Sequence, residues 1–167
     1  MLEIELDRHI ILLDNEDLEL FNKYKWRIFH TGNKHYIVTY IYNENLYRHK
    51  TIHLHRLIMN CPNKLQIDHI NGNGLDNRKC NLRICNISQN LMNSIKRKGT
   101  TSKYKGVYWN KTNKFWHVQI KVEGERIHLG YFINEKDAAC MYDRAAEHYF
   151  GEFARFNFPE ENERGIN

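Results

Sequence analysis

Apolar and polar residues alternate over much of this chain, and the spacing is mostly that of strands. Ile4 and Leu6, then Ile10 to Leu13, read as two strands around the polar Asp7-Arg8-His9. Asp14 to Trp26 carries Leu18, Phe21 and Trp26 among charges and predicts a short helix against a sheet. His35 to Tyr42 and Leu46 to Arg48 predict a hairpin turning at Asn43-Glu44-Asn45. Thr51 to Asn60 follows, with His53, His55 and Arg56. Towards the end, Lys105 to Trp109, Phe115 to Val122 and Arg126 to Tyr131 predict three strands joined by Asn/Lys and Glu-Gly turns. Trp116, Val118 and Ile120 share one face of the second of these, and His117, Gln119 and Lys121 the other. In the third, Ile127, Leu129 and Tyr131 alternate with Arg126 and His128, which places Tyr131, like Trp109 and Trp116, in the core. A helix capped by Asn134, with Asp137 in its first turn, should bury Ala138, Tyr142, Ala145 and Tyr149 and stop at Gly151.

Between these halves lies the stretch richest in chemistry, Gln66 to Asn93. Asp68 and His69 end a short apolar strand, and a turn-rich Asn71-Gly-Asn-Gly loop follows. Gly72 and Gly74 are read as supplying positive φ angles there. A second short strand, Leu82-Arg83-Ile84, comes after Asn81. Next is a helical segment carrying Asn90, opened by Asn86 and Gln89 at capping-box spacing. The order is strand, loop, strand, helix. These side chains suit phosphodiester cleavage. A carboxylate and an amide oxygen are hard ligands that leave most of a Mg²⁺ shell to water and phosphate. A neutral imidazole beside the ion can take a proton from water near pH 7.

Asp68-His69, Asn81 twelve residues after the histidine and Asn90 nine residues further on resemble the HNH nuclease motif and its ββα-metal fold. The preceding LHRLIM, Leu54 to Met59, is similar to the lead-in of phage and intron HNH endonucleases. The resemblance implies Asp68 and Asn90 as ligands of one divalent cation, Mg²⁺ or another such as Mn²⁺. It makes His69 the general base, with Asn81 pinning the loop that holds it. Asn77 is a weaker structural candidate. His55 precedes the active strand and either touches DNA phosphate or, the reading preferred here, is a packed, hydrogen-bonded residue.

Charge sharpens the picture. The net charge is +5, with a pI near 9.0, which points to an anionic partner. Residues 1–20 hold seven acids and one base, whereas residues 96–128 hold nine Lys or Arg against Glu123 and Glu125. That asymmetry places nucleic acid against the second half. None of the four cysteines, Cys61, Cys80, Cys85 and Cys140, forms a C-x-x-C pair, so no structural zinc is expected. With no signal peptide recognised, an intracellular setting is expected, in the cytoplasm of a bacterial or phage-infected cell. The longest wholly apolar run, Ile10 to Leu13, is far short of a membrane span.

The last third, with its YKGVYW, LGYF, MYDRAA and FNFP pieces, looks like the plant ethylene-response-factor DNA-binding domain, which is also appended to phage HNH endonucleases. In that family the three-stranded sheet enters the major groove. Carried across, the DNA face is Lys105, Tyr108, Asn110, Gln119, Lys121, Arg126 and His128. The chain departs from the family where Tyr108, Asn110 and Lys121 stand for arginines and His128 for a tryptophan, so bidentate guanine reading is reduced.

The fold expected is α+β: a small β-rich N-terminal segment leading into a ββα-metal core, then a three-stranded antiparallel sheet on one helix. Residues 1–93 would be leader and nuclease, 94–103 a basic linker, 104–158 the DNA-binding domain and 159–167 a tail. The function expected is a metal-dependent HNH endonuclease of the homing, mobile-element type, nicking or cutting double-stranded DNA, with no membrane or small-molecule partner. The alternative is a non-catalytic, sequence-specific DNA-binding regulator with an inert nuclease motif. RNA is disfavoured, since a sheet built for the major groove does not enter the narrow A-form groove.

Overall fold

The computed structural model describes residues 1–44, 47–96 and 99–159. The chain is mixed α and β, built of small antiparallel sheets and few helices, and forms two compact units, Met1–Asn90 and Leu91–Asn167. Among the described residues no helix is long and apolar enough to cross a membrane.

In the first unit β1 (Leu2–Leu6) and β2 (His9–Leu13) pair through a two-residue turn. Asp7 and Arg8 both take positive φ there, as a twist-matched hairpin turn requires. The helix expected from Asp14 to Trp26 is shorter, a 3₁₀ turn at Asn15–Asp17 and α1 (Leu18–Asn22). The chain then enters a three-stranded sheet of β3 (Arg27–Thr31), β4 (Lys34–Asn43) and β5 (Arg48–His53), with β4 in the middle. Sequence patterning missed β3, because only Ile28 along it packs inward while Arg27, Phe29, His30 and Thr31 stay exposed. It also ended β5 at Arg48, whereas pairing runs from Asn43–Arg48 to Val38–His53. Of the turn between β4 and β5, Asn45 and Leu46 lie outside the described residues. The LHRLIM run forms α2 (Leu54–Ile58). Ile11, Leu13, Trp26, Ile37, Leu54 and Leu75 are the buried core, so the hairpin, the sheet, α2 and the Gly-rich loop share one interior.

The same unit carries β6 (Gln66–His69) and β7 (Leu82–Cys85), an antiparallel pair, and α3 (Ile87–Met92) follows them. Asn86 and Gln89 exchange side-chain to backbone hydrogen bonds of 2.9 Å each, a reciprocal capping box that fixes where α3 begins.

The second unit packs β8 (Val107–Asn110), β9 (Phe115–Val122) and β10 (Glu125–Phe132) on α4 (Glu135–Phe150), with β9 central. Asn134 caps α4 by accepting from the Lys136 amide, and Gly151 ends it. Two assignments change. The buried stripe of α4 is Ala138, Ala139, Tyr142, Ala146 and Phe150, rotated from the one expected, and Tyr149 is exposed. Tyr131 is also exposed, because the ladder shifts between His128 and Gly130. The extra residue reverses the in/out alternation, so Tyr131 pairs with His117 on the outer face.

Parts of the expected linker pack onto this unit: Ser102 donates to Glu135 at 2.7 Å and the Trp109 amide donates to Thr101. Arg97 and Lys98 lie outside the described residues. The FNFP run is held by buried Asp143, whose carboxylate accepts from the amides of Asn157 and Phe158.

Candidate functional site

Asp68 and His69 stand at the end of β6, both nearly excluded from solvent. Strand register sets Asp68 opposite Arg83, and the guanidinium donates to Asp68 Oδ2 from Nε at 2.8 Å and from Nη2 at 2.6 Å. Only charge-assisted hydrogen bonding keeps two such charges stable at this depth. His69 lies in an aromatic cluster. The His55 ring meets it edge-on at 5.0 Å between centroids, and Tyr36 lies 6.0 Å away. Burial pushes the His69 imidazole down to about 4, against the charge of Asp68 and the side chain of Asn77, which favour the proton. It is therefore neutral at pH 7. His55 is lowered further by burial and then by His69, and its Nδ1 has no hydrogen-bond partner among the described residues. His55 is thus packed but not hydrogen-bonded at that atom.

The loop after His69 is fastened at several points. Asn81 is buried and bonds to both sides of it: Oδ1 accepts from the Asn71 amide at 3.0 Å and Nδ2 donates to the Asp76 carbonyl at 2.8 Å. Its backbone carbonyl accepts from the Ile70 amide at 2.9 Å. Asp76, almost wholly buried, takes a fork of two 2.7 Å bonds from Arg78 and a third from Asn71 Nδ2. Arg78 holds the Asp76 carboxyl below its usual range. Asn77 is fully buried, its amide bonded to the Leu12 carbonyl, while the Leu12 amide bonds to Leu75. The loop is thereby hydrogen-bonded to β2. Gly72 does adopt positive φ, but Gly74 does not. Gly74 is required for space: a Cβ there would lie 2.2 Å from the His35 carbonyl oxygen.

Asn90, on α3, reaches back to β6, where its Nδ2 donates to Gln66 Oε1 at 2.6 Å. Gln66 is two residues before Asp68 and so projects from the same strand face. Among the described residues no three His, Cys, Asp or Glu side chains gather in a way that could hold a metal. The available donors are one carboxylate and one amide oxygen. Such a sparse, oxygen-based set fits a Mg²⁺-like ion that retains water rather than zinc.

On the second unit, the outer face of the sheet carries Tyr108, Gln119, Lys121, Arg126 and His128. Lys121 pairs with Arg126, and His128 with Gln119. The other two residues predicted for this face are placed differently. Lys105 precedes β8 and its Nζ donates to the Met92 carbonyl, while burial lowers its pKa to about 8. Asn110 Oδ1 accepts from the amides of Thr112 and Asn113 and closes the β8–β9 turn. Two residues outside the predicted DNA-contact set share the face, His117 as its alternation implies and Tyr131 against expectation. His117 shares a 2.8 Å hydrogen bond with His128, and the Tyr131 ring lies 4.6 Å from that of His128.

No family model matches the chain. Over 138 residues it is 32% identical to an uncharacterized HNH endonuclease of Acanthamoeba polyphaga mimivirus, an alignment spanning 83% of this chain and 69% of that protein. The chain belongs to the HNH endonuclease family. It is also 33% identical over 95 residues to protein 3.8 of Escherichia phage T7, covering 57% of this chain and 78% of that one. A 42-residue stretch, 25% of the chain, is 50% identical to an ethylene-responsive transcription factor-like protein of Arabidopsis thaliana, 18% of whose length it covers.

In this HNH-family chain, sequence reasoning missed Arg83 and Asp76. The Asp-x-Arg spacing of Asp76 and Arg78 was a usable signal for the second, whereas Arg83 meets Asp68 only through strand register. The buried histidines make stability depend on pH. Below about 6.5 the unfolded chain binds protons that folded His69 refuses until about pH 4, so stability falls as pH drops through that window. The loss is about 1.4 kcal/mol per pH unit per histidine. Thermal melting in EDTA at pH 7 and pH 5 measures it. The first unit should melt lower at pH 5, and His69→Gln should reduce the difference; equal midpoints would refute the buried neutral imidazole.

Proposed function

We propose that this chain is a metal-dependent HNH endonuclease that hydrolyses phosphodiester bonds in double-stranded DNA, as homing and mobile-element enzymes do. Its β6–β7–α3 run would be the ββα-metal core, and residues 104–158 an ethylene-response-factor-like DNA-binding domain. One observation carries the reading: a buried, neutral His69 beside Asp68 at a strand end, followed by a loop that Asn81 fastens on both sides.

Asp68 and Asn90 would hold the divalent ion, which when bound supplies charge stabilisation to the scissile phosphate and the departing oxygen. His69 takes a proton from the attacking water as that oxygen bonds to phosphorus and the bond to the leaving oxygen breaks. The negative charge of the arriving phosphodiester raises the imidazole's basicity from its low resting value. Asn81 holds the loop, and with it the direction of the ring. Arg83 holds the Asp68 carboxylate in place through its two charge-assisted hydrogen bonds.

The Arg83 pairing also favours one competing reading, a DNA-binding regulator whose carboxylate is neutralised by arginine instead of metal. Purified protein incubated with supercoiled plasmid separates the two. Nicking with Mg²⁺ or Mn²⁺ that stops in EDTA supports the endonuclease; tight binding without cleavage under every divalent ion supports the regulator.

The similarity to an ethylene-responsive transcription factor-like protein supports DNA as the partner of the second unit. Lys121 and Arg126 sit side by side on its outer face. Replacing both with Ala should flatten the slope of log K against log salt by up to about two units if each touches phosphate. If Arg126 instead reads a base edge, its single replacement should cost about 1–3 kcal/mol on a preferred sequence and little on random DNA. Unchanged slope and affinity would turn this face away from DNA.

A further inference from the structure

β3 starts at Arg27, opposite Val38, so from Thr39 onward β4 has no strand on that side. The notch is an open groove of about 640 Å³ whose lining includes Lys23, Lys25, Arg27, Tyr24, Tyr40 and His49 and no acidic residue. Lys23 spends its charge on Glu19, 3.2 Å away. Lys25 and Arg27 are exposed and make no ion pair among the described residues. The surrounding sequence is equally one-sided: residues 21–60 contain seven Lys or Arg and one acid, Glu44. By contrast, the acids of the preceding segment are partly spent on Lys79, whose ammonium meets Glu16 and Asp17 and whose amide meets Asp14.

The groove lies along the strand that reaches the candidate site. Residues two apart on a strand share a face. Tyr36, Tyr40 and Tyr42 therefore project together, and register adds Arg27 from β3 and His49 from β5 to that face. Tyr36 closes the cluster around His69 at one end. Tyr40, four residues on and half exposed, lies about 13 Å along the strand. That is about four base pairs of a duplex. Two cations with no ion pair among the described residues, Lys25 in the groove and Arg27 on the face of the exposed tyrosines, match a phosphodiester backbone, with charge for phosphate and rings for sugar.

We infer that this groove is a second nucleic-acid contact, taking the DNA backbone about four base pairs from the bond presented to His69. It rests on the endonuclease reading and adds a binding surface within the first unit itself. The unit would thus carry its own grip on DNA beside the cleavage site.

The test uses the full chain, a random-sequence DNA duplex titrated at several salt concentrations, and supercoiled plasmid with Mg²⁺. Lys25→Ala with Arg27→Ala should flatten the salt slope by up to about 1.8 units and weaken binding roughly ten- to thirty-fold at 0.15 M salt. The nicking rate at saturating plasmid should not change, since neither residue belongs to the His69 site. Tyr40→Ala should weaken binding several-fold without altering the slope. Lys25→Glu with Arg27→Glu should weaken binding further, while melting midpoints stay at the parental value because the positions are exposed. If the double Ala and double Glu variants bind with parental affinity and slope while the parent protein nicks plasmid, the groove assignment is wrong and the endonuclease reading survives. If the parent protein neither binds the duplex in a salt-dependent way nor nicks plasmid, both are wrong.

Discussion

His69→Ala is expected to lower the rate of plasmid cleavage by about 10²–10⁴-fold while leaving DNA affinity nearly unchanged. The imidazole is buried at the end of β6, neutral at pH 7, and contributes no charge to attract phosphate. Its loss should therefore appear in the rate at saturating DNA and not in the binding constant. His69→Gln keeps the volume and a hydrogen-bonding end but cannot take the proton, so it should be nearly as slow. Near-parental turnover in either variant would remove His69 from the mechanism. A fall in affinity of the same size as the fall in rate would mean the cluster with Tyr36 and His55 had collapsed.

The second large effect is on stability. Arg83→Ala is expected to destabilise the first unit by about 3–5 kcal/mol, because it leaves the Asp68 carboxylate buried without its counter-charge. Chemical denaturation in EDTA reads this directly. Mg²⁺ should recover part of the loss, and stabilise Arg83→Ala more than the parent protein, since a cation on Asp68 replaces the missing guanidinium. A variant as stable as the parent would show that water already screens the pair. A variant destabilised but indifferent to Mg²⁺ and Mn²⁺ would argue against Asp68 as a ligand and for the regulator reading.

Other features of the candidate site are fastened from far along the chain. Leu12 on β2 is hydrogen-bonded to Leu75 and Asn77, and Asp14 and Glu16 hold Lys79, so the acidic N-terminal hairpin and its following turn brace the Gly-rich loop. Charge counting marked residues 1–20 as acidic but could not say what the acids face.

What the sequence determined by itself is what depends on neighbours within a few residues. The alternation of Trp116, Val118 and Ile120 against His117, Gln119 and Lys121 is sterically a strand with one buried face. The Asn86–Gln89 box, the Asn134 cap and the Gly151 stop act within one helical turn and were readable as such. The candidate residues Asp68, His69, Asn81 and Asn90 were legible as a spacing, and their chain positions follow from it.

Tertiary structure decided what depends on register and packing. Arg83 is fifteen residues from Asp68 and meets it only because the two strands pair as they do. β3 is a strand because β4 is there to pair with it, although its own residues are mostly exposed. One shift at His128 and Gly130 turned Tyr131 from core to surface, since a period of two reverses its phase on any single insertion. Lys105 was drawn inward to the Met92 carbonyl by the same packing. Gly74 is glycine because the backbone of β4 passes too close for a Cβ, a constraint set by a segment about forty residues away and invisible in the loop's own sequence.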